Sequence, residues 1–183
     1  MTLALLWLAC ALPADVKDGP ASVEAEATGP SLYALPVPLV THEAERTTLA
    51  AFQGAPVVVS MFYTTCPSAC PLLVEAARSA LVEAGDPAVT VLLVSLDPEN
   101  DSVEALRRAH ESRGVGGQFV FARPEPDQVR EVAALLGIKV RPLPGGGFAH
   151  TSVLVLLDAE GRVLARAEGN EGREALVAAL RAL

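Results

Sequence analysis

The chain has 183 residues, with 22 acidic side chains against 14 basic ones and a formal net charge of −8. Half of it is apolar (51%) and only 20% is charged, which excludes an intrinsically disordered chain. The acid excess argues against nucleic acid as a partner, because phosphates are held by clustered Lys and Arg. No run of residues approaches the ~20 apolar positions needed to span a bilayer. The composition is that of a soluble globular domain whose chemistry rests on few side chains.

The N-terminus carries an apolar stretch, Leu3 to Ala9, that ends at Cys10. It resembles the hydrophobic part of a secretory signal but lacks a basic lead-in. Ala9 is the small residue expected before a lipid-modified cysteine, although Trp7 is wrong for the position three before that cysteine. Cys10 is therefore a candidate for lipid attachment, the alternative being an inert cysteine in a clipped signal. Residues 1–30, punctuated by Pro13, Gly19, Pro20, Gly29 and Pro30, read as export signal and linker, and residues 31–183 as a single domain without internal repeats.

From residue 31 strand-like and helix-like segments alternate. Pro56 to Phe62 is a β-rich run of the kind buried on both faces of a sheet. Pro71 is placed to open a helix, whose stripe of Leu72, Leu73, Ala76, Ala77, Ala80 and Leu81 runs to a stop at Gly85. Val89 to Leu96 is a second buried strand. Asp101, with Glu104 three residues on, predicts a capped helix ending at Gly114. Gln118 to Ala122 is a third strand, and residues 126–136 form a helix that stops at Gly137. Residues 141–147 are too rich in Pro and Gly for regular structure. Thr151 to Leu157 and Arg162 to Ala167 flank an Asp-Ala-Glu-Gly turn and read as a hairpin. A helix from about Arg173 closes the chain. This order implies an α/β fold with a mixed sheet flanked by helices, and its closing hairpin and helix are typical of the thioredoxin-like class.

Two cysteines in so large a domain cannot be a disulfide scaffold, so the close pair Cys66 and Cys70 suggests a redox or metal site. The pair lies in Phe62-Tyr63-Thr64-Thr65-Cys66-Pro67-Ser68-Ala69-Cys70-Pro71, where a buried strand gives way to a helix. The prolines push both cysteines out of helical geometry into a constrained turn, with both sulfurs able to face outward. Helix N-terminal amides favour anions, so at least one thiol should ionise more readily than a free cysteine. Two thiolates suit linear Cu(I), and one added imidazole gives a trigonal site that also favours copper. Zinc would want a fourth ligand or an open position. His150, between the glycine-rich loop and the hairpin strand, occupies the place where thioredoxin-like redox proteins carry a cis-proline against the cysteines. His42 reads as a solvated loop residue and His110 as a surface helix position. Cysteines buried in a helix core are a weaker alternative, given the flanking prolines. A peroxidatic site is disfavoured by Tyr63, where that chemistry carries Thr.

Four segments in order resemble the SCO/SenC family of copper chaperones for cytochrome c oxidase assembly. They are Thr48 to Pro56, the F-x-x-x-C-P-x-x-C-P run from Phe62 to Pro71, Val94 to Asp101 with its S-x-D-P-x-x-D pattern, and His150 to Ser152 followed by Leu156 to Gly161. The likeness spans about Thr48 to Leu180. It implies Cys66, Cys70 and His150 as ligands for copper, Cu(I) or Cu(II), and Asp97 as a nearby supporting carboxylate, although a turn-forming role before Pro98 serves Asp97 equally well. It implies delivery to the binuclear copper site of the oxidase, with the copper-bearing subunit or another copper chaperone as partner. A thiol–disulfide oxidoreductase, with Cys66 and Cys70 as redox pair, is the alternative. The setting it implies is extracytoplasmic, periplasmic or on the outer membrane face, with membrane association only through a lipidated N-terminus. One departure is Ala149, where the family commonly has an acidic residue before the histidine; a site lacking that carboxylate should hold its imidazole less firmly.

Overall fold

The computed structural model describes residue 27 and residues 29–144 and 146–183. The export signal and the Cys10 lipidation expectation thus lie outside the described residues.

Nine strands and four α-helices occur among the described residues: β1 Pro38–Thr41, β2 Arg46–Thr48, β3 Val57–Phe62, α1 Ala69–Glu83, β4 Thr90–Ser95, α2 Val103–Ser112, β5 Phe119–Pro124, α3 Val129–Leu135, β6 Val140–Pro142, β7 Phe148–His150, β8 Leu154–Leu157, β9 Val163–Ala167 and α4 Gly169–Arg181. Seven strands form one sheet in the order β2-β1-β5-β4-β3-β8-β9, and β6 and β7 make a separate two-stranded ribbon. β3, β4 and β5 run parallel; β1 pairs antiparallel with β5, β8 antiparallel with β3, and β9 antiparallel with β8. The sheet is therefore mixed, as the element order predicts.

β3 forms where expected and all six of its residues are buried. A continuous Val-Val-Val-Ser-Met-Phe run can be buried on both sides because every residue but Ser60 is apolar. Ser60 satisfies its hydroxyl by donating to the Val153 carbonyl at 2.6 Å. Phe62 and Phe121 meet edge to face at 4.9 Å in the core between β3 and β5. α1 and α4 pack together, tied at the surface by Arg173 on the Glu83 carboxylate and by Arg181 donating to the Glu83 carbonyl.

Several expectations are corrected. α1 begins at Ala69, two residues before Pro71, so proline occupies its first turn rather than its first position. Proline is tolerated there because first-turn amides have no intrahelical partner. The cap of α2 is Ser102, whose Oγ accepts from the Ala105 amide at 3.2 Å; Asp101 is drawn instead into the interior. Residues 141–147 are not wholly irregular: β6 and β7 flank a short turn, closed by Leu143 donating to the Gly147 carbonyl at 3.0 Å. Gly146 (φ +100°) and Gly147 (φ +76°) adopt the left-handed conformations that let the chain reverse so abruptly. Thr151 to Val153 lie outside the strand predicted to start at residue 151, which begins at Leu154.

The β1–β2 hairpin, which widens the sheet beyond β5, has no counterpart in the sequence reading. Its presence changes the place of two histidines. His42, following β1, is only 8% exposed; its Nδ1 accepts from the Phe121 amide at 3.3 Å and its own amide donates to the Phe121 carbonyl. His110 of α2 stacks on it with ring centroids 4.2 Å apart, and the His110 Nε2 is buried without a protein partner. Neither is the solvated residue expected, because a strand expected only as loop brings His42 onto β5 beneath α2.

Burial, and then the stacked His110 ring, hold the His42 pKa below its ordinary value. A depressed value in the fold means that His42 stabilises fully above its unfolded pKa of about 6.5 and loses that contribution as pH falls through the folded one. Denaturant unfolding followed from pH 7 to 4.5 should therefore show an acid-side loss that His42→Phe reduces; an unchanged pH profile in that variant would contradict this.

Candidate metal centre

β3 ends at Phe62, and the chain turns through Tyr63 to Ser68 before entering α1. The Cys66 amide donates to the Tyr63 carbonyl at 3.3 Å, closing the turn. Cys70 is the second residue of α1, and its amide donates to the Cys66 sulfur at 3.3 Å. Ser68, in the capping place, makes no side-chain bond to the helix, so a sulfur does the work an oxygen usually performs.

The sulfurs do not face outward as the prolines suggest. Cys66 is 8% exposed and Cys70 is fully buried. The reason is the early helix start, which turns Cys70 into the first-turn packing surface. Among the described residues both thiols are free.

Burial resists ionisation of Cys66, but the Cys70 thiol, the amides of Cys70 and Ser68 and the Tyr63 hydroxyl together outweigh it and bring its pKa below the usual thiol value. Cys70 goes the other way, pushed up to about 12 chiefly by burial, with the neighbouring Cys66 adding to the rise. The more readily ionised sulfur and the one held protonated thus sit side by side.

His150 arrives from the other end of the sequence. It ends β7, paired with Val140 of β6, and its Nε2 lies 3.9 Å from the Cys70 sulfur. Its Nδ1 lies 3.2 Å from the Thr151 carbonyl. A carbonyl can only accept, so this contact fixes the ring proton on Nδ1 and turns the Nε2 lone pair towards the sulfurs. The Thr151 carbonyl therefore does part of the orienting that the missing acidic residue at Ala149 would do.

Tyr63, Cys66 and His150 line one cavity of about 630 Å³ together with Pro67, Leu143 and Phe148. Two ligands of one ion, each about 2.0–2.3 Å from it, stand roughly 3.5–4.4 Å apart depending on the angle between them. The Cys70–His150 separation falls in that range. Among the described residues no three His, Cys, Asp or Glu side chains stand together at the spacing of a closed metal site.

Asp97 is not among the residues lining this cavity. Its carboxylate accepts from the Asn100 side-chain amide at 2.9 and 3.0 Å and its carbonyl from the amides of Asn100 and Asp101, the turn-forming arrangement. The carboxylate that reaches the cysteine loop is Asp101. Fully buried, it accepts from the Thr64 amide at 3.1 Å, the Thr64 hydroxyl at 2.5 Å and the Ser95 hydroxyl at 2.5 Å. It pins the residue two before Cys66 to the end of β4. Burial raises the Asp101 pKa although the hydroxyl bonds oppose the rise. The signal that could have found it is the second Asp of S-x-D-P-x-x-D, which the helix-cap reading explained away. His42 stacks on His110 of α2, and the histidine that reaches a thiol is His150.

A mixed sheet with a Cys-x-x-x-Cys loop at a strand-to-helix junction and a histidine facing it defines a thioredoxin-like protein built around two thiols and an imidazole. The chain belongs to the SCO1/SenC family, whose sequence model matches residues 25–183. It is 27% identical to the human mitochondrial SCO1 homolog over 145 residues, 74% of this chain but 48% of that one, so the match spans about half of the relative. Copper-bound ScoI of Arabidopsis thaliana superposes with a TM-score of 0.71 at 18% identity, covering 81% of this chain and 98% of that one. A SCO1/SenC family lipoprotein of Bacillus anthracis superposes with a TM-score of 0.72 at 16% identity, covering 81% and 94%.

The thiol asymmetry has a direct readout. Iodoacetamide labelling at about pH 7, well below the free-thiol value of about 8.5, should modify Cys66 and spare Cys70 in peptide mass spectra. Equal labelling of the two would contradict the assigned roles.

Proposed function

We propose that the protein is a copper carrier that takes up one copper ion on Cys66, Cys70 and His150 and hands it to a partner, the binuclear copper site of cytochrome c oxidase during assembly. The observation that carries this reading is the 3.9 Å approach of His150 Nε2 to the Cys70 sulfur, in a cavity that Cys66 also lines. Soft thiolates and a neutral imidazole are a donor set that selects copper over hard cations. That A. thaliana ScoI and Bradyrhizobium japonicum ScoI were solved with copper bound supports the same cargo here.

The chemistry follows from the two sulfurs. Cys66 gives up its proton more readily than an ordinary thiol, whereas Cys70 must release its proton as the cation arrives. A three-ligand site leaves the metal open to attack, so an incoming thiolate from the recipient can bind before a carrier ligand leaves. The cavity mouth provides the approach. The partner is the copper-bearing subunit of the oxidase or another copper chaperone, and the setting is extracytoplasmic, in keeping with the B. anthracis lipoprotein.

The unequal thiols also favour a second reading, reduction of a partner disulfide. Cys66 thiolate would attack one partner sulfur and expel the other as thiolate. Cys70, after losing its proton, would then resolve the mixed disulfide, leaving an oxidised Cys66–Cys70 pair and a dithiol partner.

Competition against a Cu(I) chelator should give one copper per chain. Cys66→Ser should remove most of the binding, and His150→Ala should weaken it by at least about tenfold, given that even supporting groups commonly contribute that much. Wild-type affinity in His150→Ala would overturn the three-ligand carrier; full disulfide reductase activity in the same variant would then favour the redox reading.

A further inference from the structure

The histidine and the cysteines belong to separate pieces of chain, and something must hold the ribbon that carries His150 against the loop that carries Cys66. The ribbon is only three residues long on each side and stands apart from the main sheet. Its outer residues are exposed, and residues 151–153 link it to β8 without regular structure. Two paired strands of this size are at best marginally stable alone.

One side chain bridges the gap. Tyr63, three residues before Cys66, is buried, and its hydroxyl reaches the backbone of Phe148 in β7, two residues before His150. The phenol donates to the Phe148 carbonyl at 3.3 Å and accepts from the Phe148 amide at 3.4 Å. Its ring meets Phe148 edge to face at 5.5 Å and the His150 imidazole at 6.1 Å. Gly147 makes room for it: a Cβ there would stand 3.2 Å from the phenol oxygen.

We propose that Tyr63 is a positioning residue whose hydroxyl latches the β6–β7 ribbon to the cysteine loop, and so sets how often His150 stands within reach of a copper ion held by the two sulfurs. A phenylalanine would fill the same space and keep the ring contacts, so the hydroxyl itself adds the latch. The proposal rests on the copper-carrier reading for its consequence, but the latch is a property of the metal-free fold.

The test uses Tyr63→Phe alone and in a His150→Ala background. A neutral hydrogen bond is commonly a matter of about fivefold in an equilibrium. In the metal-free protein, amide exchange at Phe148, bonded to the phenol, and at Ala149, paired with Arg141 across the ribbon, should quicken about that much. Tyr33→Phe, which removes a phenol bonded to the Phe52 carbonyl far from the site, should leave those amides unchanged. Cu(I) affinity should fall by up to about fivefold in Tyr63→Phe, and by clearly less once His150 is alanine, where only the influence of Tyr63 on Cys66 remains. Unchanged exchange at Phe148 and Ala149 in Tyr63→Phe overturns the latch. So does an equal loss of affinity with and without His150, which would mean that Tyr63 acts only through Cys66 and not through the ribbon. If His150→Ala alone leaves copper binding intact, the carrier reading falls while the exchange result still decides whether the latch exists.

Discussion

The antiparallel register between β3 and β8 is the constraint on which the site depends. Val57, Val58 and Val59 face Leu157, Leu156 and Val155. Continued past the end of β3, that line brings the residues before β8 level with the turn that leads to Cys66. The Ser60 hydroxyl on the Val153 carbonyl shows that the two segments stay together beyond the paired residues. A one-residue slip would shift His150 by about 3.4 Å and turn it to the opposite side. That is enough to lose a contact of 3.9 Å. The register is secure because both strands are wholly buried, each large apolar side chain contributing about 1.5–3 kcal/mol through burial.

On this frame the site divides its work. The cysteine loop is rigid, tied by Asp101 to Thr64 and Ser95 and by the Cys66 sulfur to the first turn of α1. The histidine ribbon is held by fewer and longer bonds. A carrier needs such an arrangement: two sulfurs that keep their places and a third ligand that can approach and withdraw. The thiols themselves are unequal because one accepts helix and side-chain hydrogen bonds while the other is buried beneath it.

The segments that carry the chemistry were legible because their physics is local. A β-branched run gave β3, prolines around paired cysteines gave the loop, and a glycine-rich stretch before a histidine gave the third candidate ligand. What escaped depends on distant neighbours. β1 and β2 are three to four residues long and show no clear period, so the burial of His42 under α2 could not be seen. Asp101 satisfies the local pattern of a helix cap, yet Ser102 beside it takes that role and frees the carboxylate for Thr64. Residues 141–147 look irregular by composition, but their glycines only shape the turn between β6 and β7. Tyr63 was noted only as a residue unsuited to peroxidatic chemistry, since its partner lies 85 positions away.

Whether two sulfurs and one imidazole converge on a single ion is decided by X-ray absorption at the copper edge of the Cu(I)-loaded protein. The copper should have a shell of two sulfur neighbours and one nitrogen, with the nitrogen lost in His150→Ala. A shell of sulfur alone, identical in wild type and His150→Ala, would contradict that convergence.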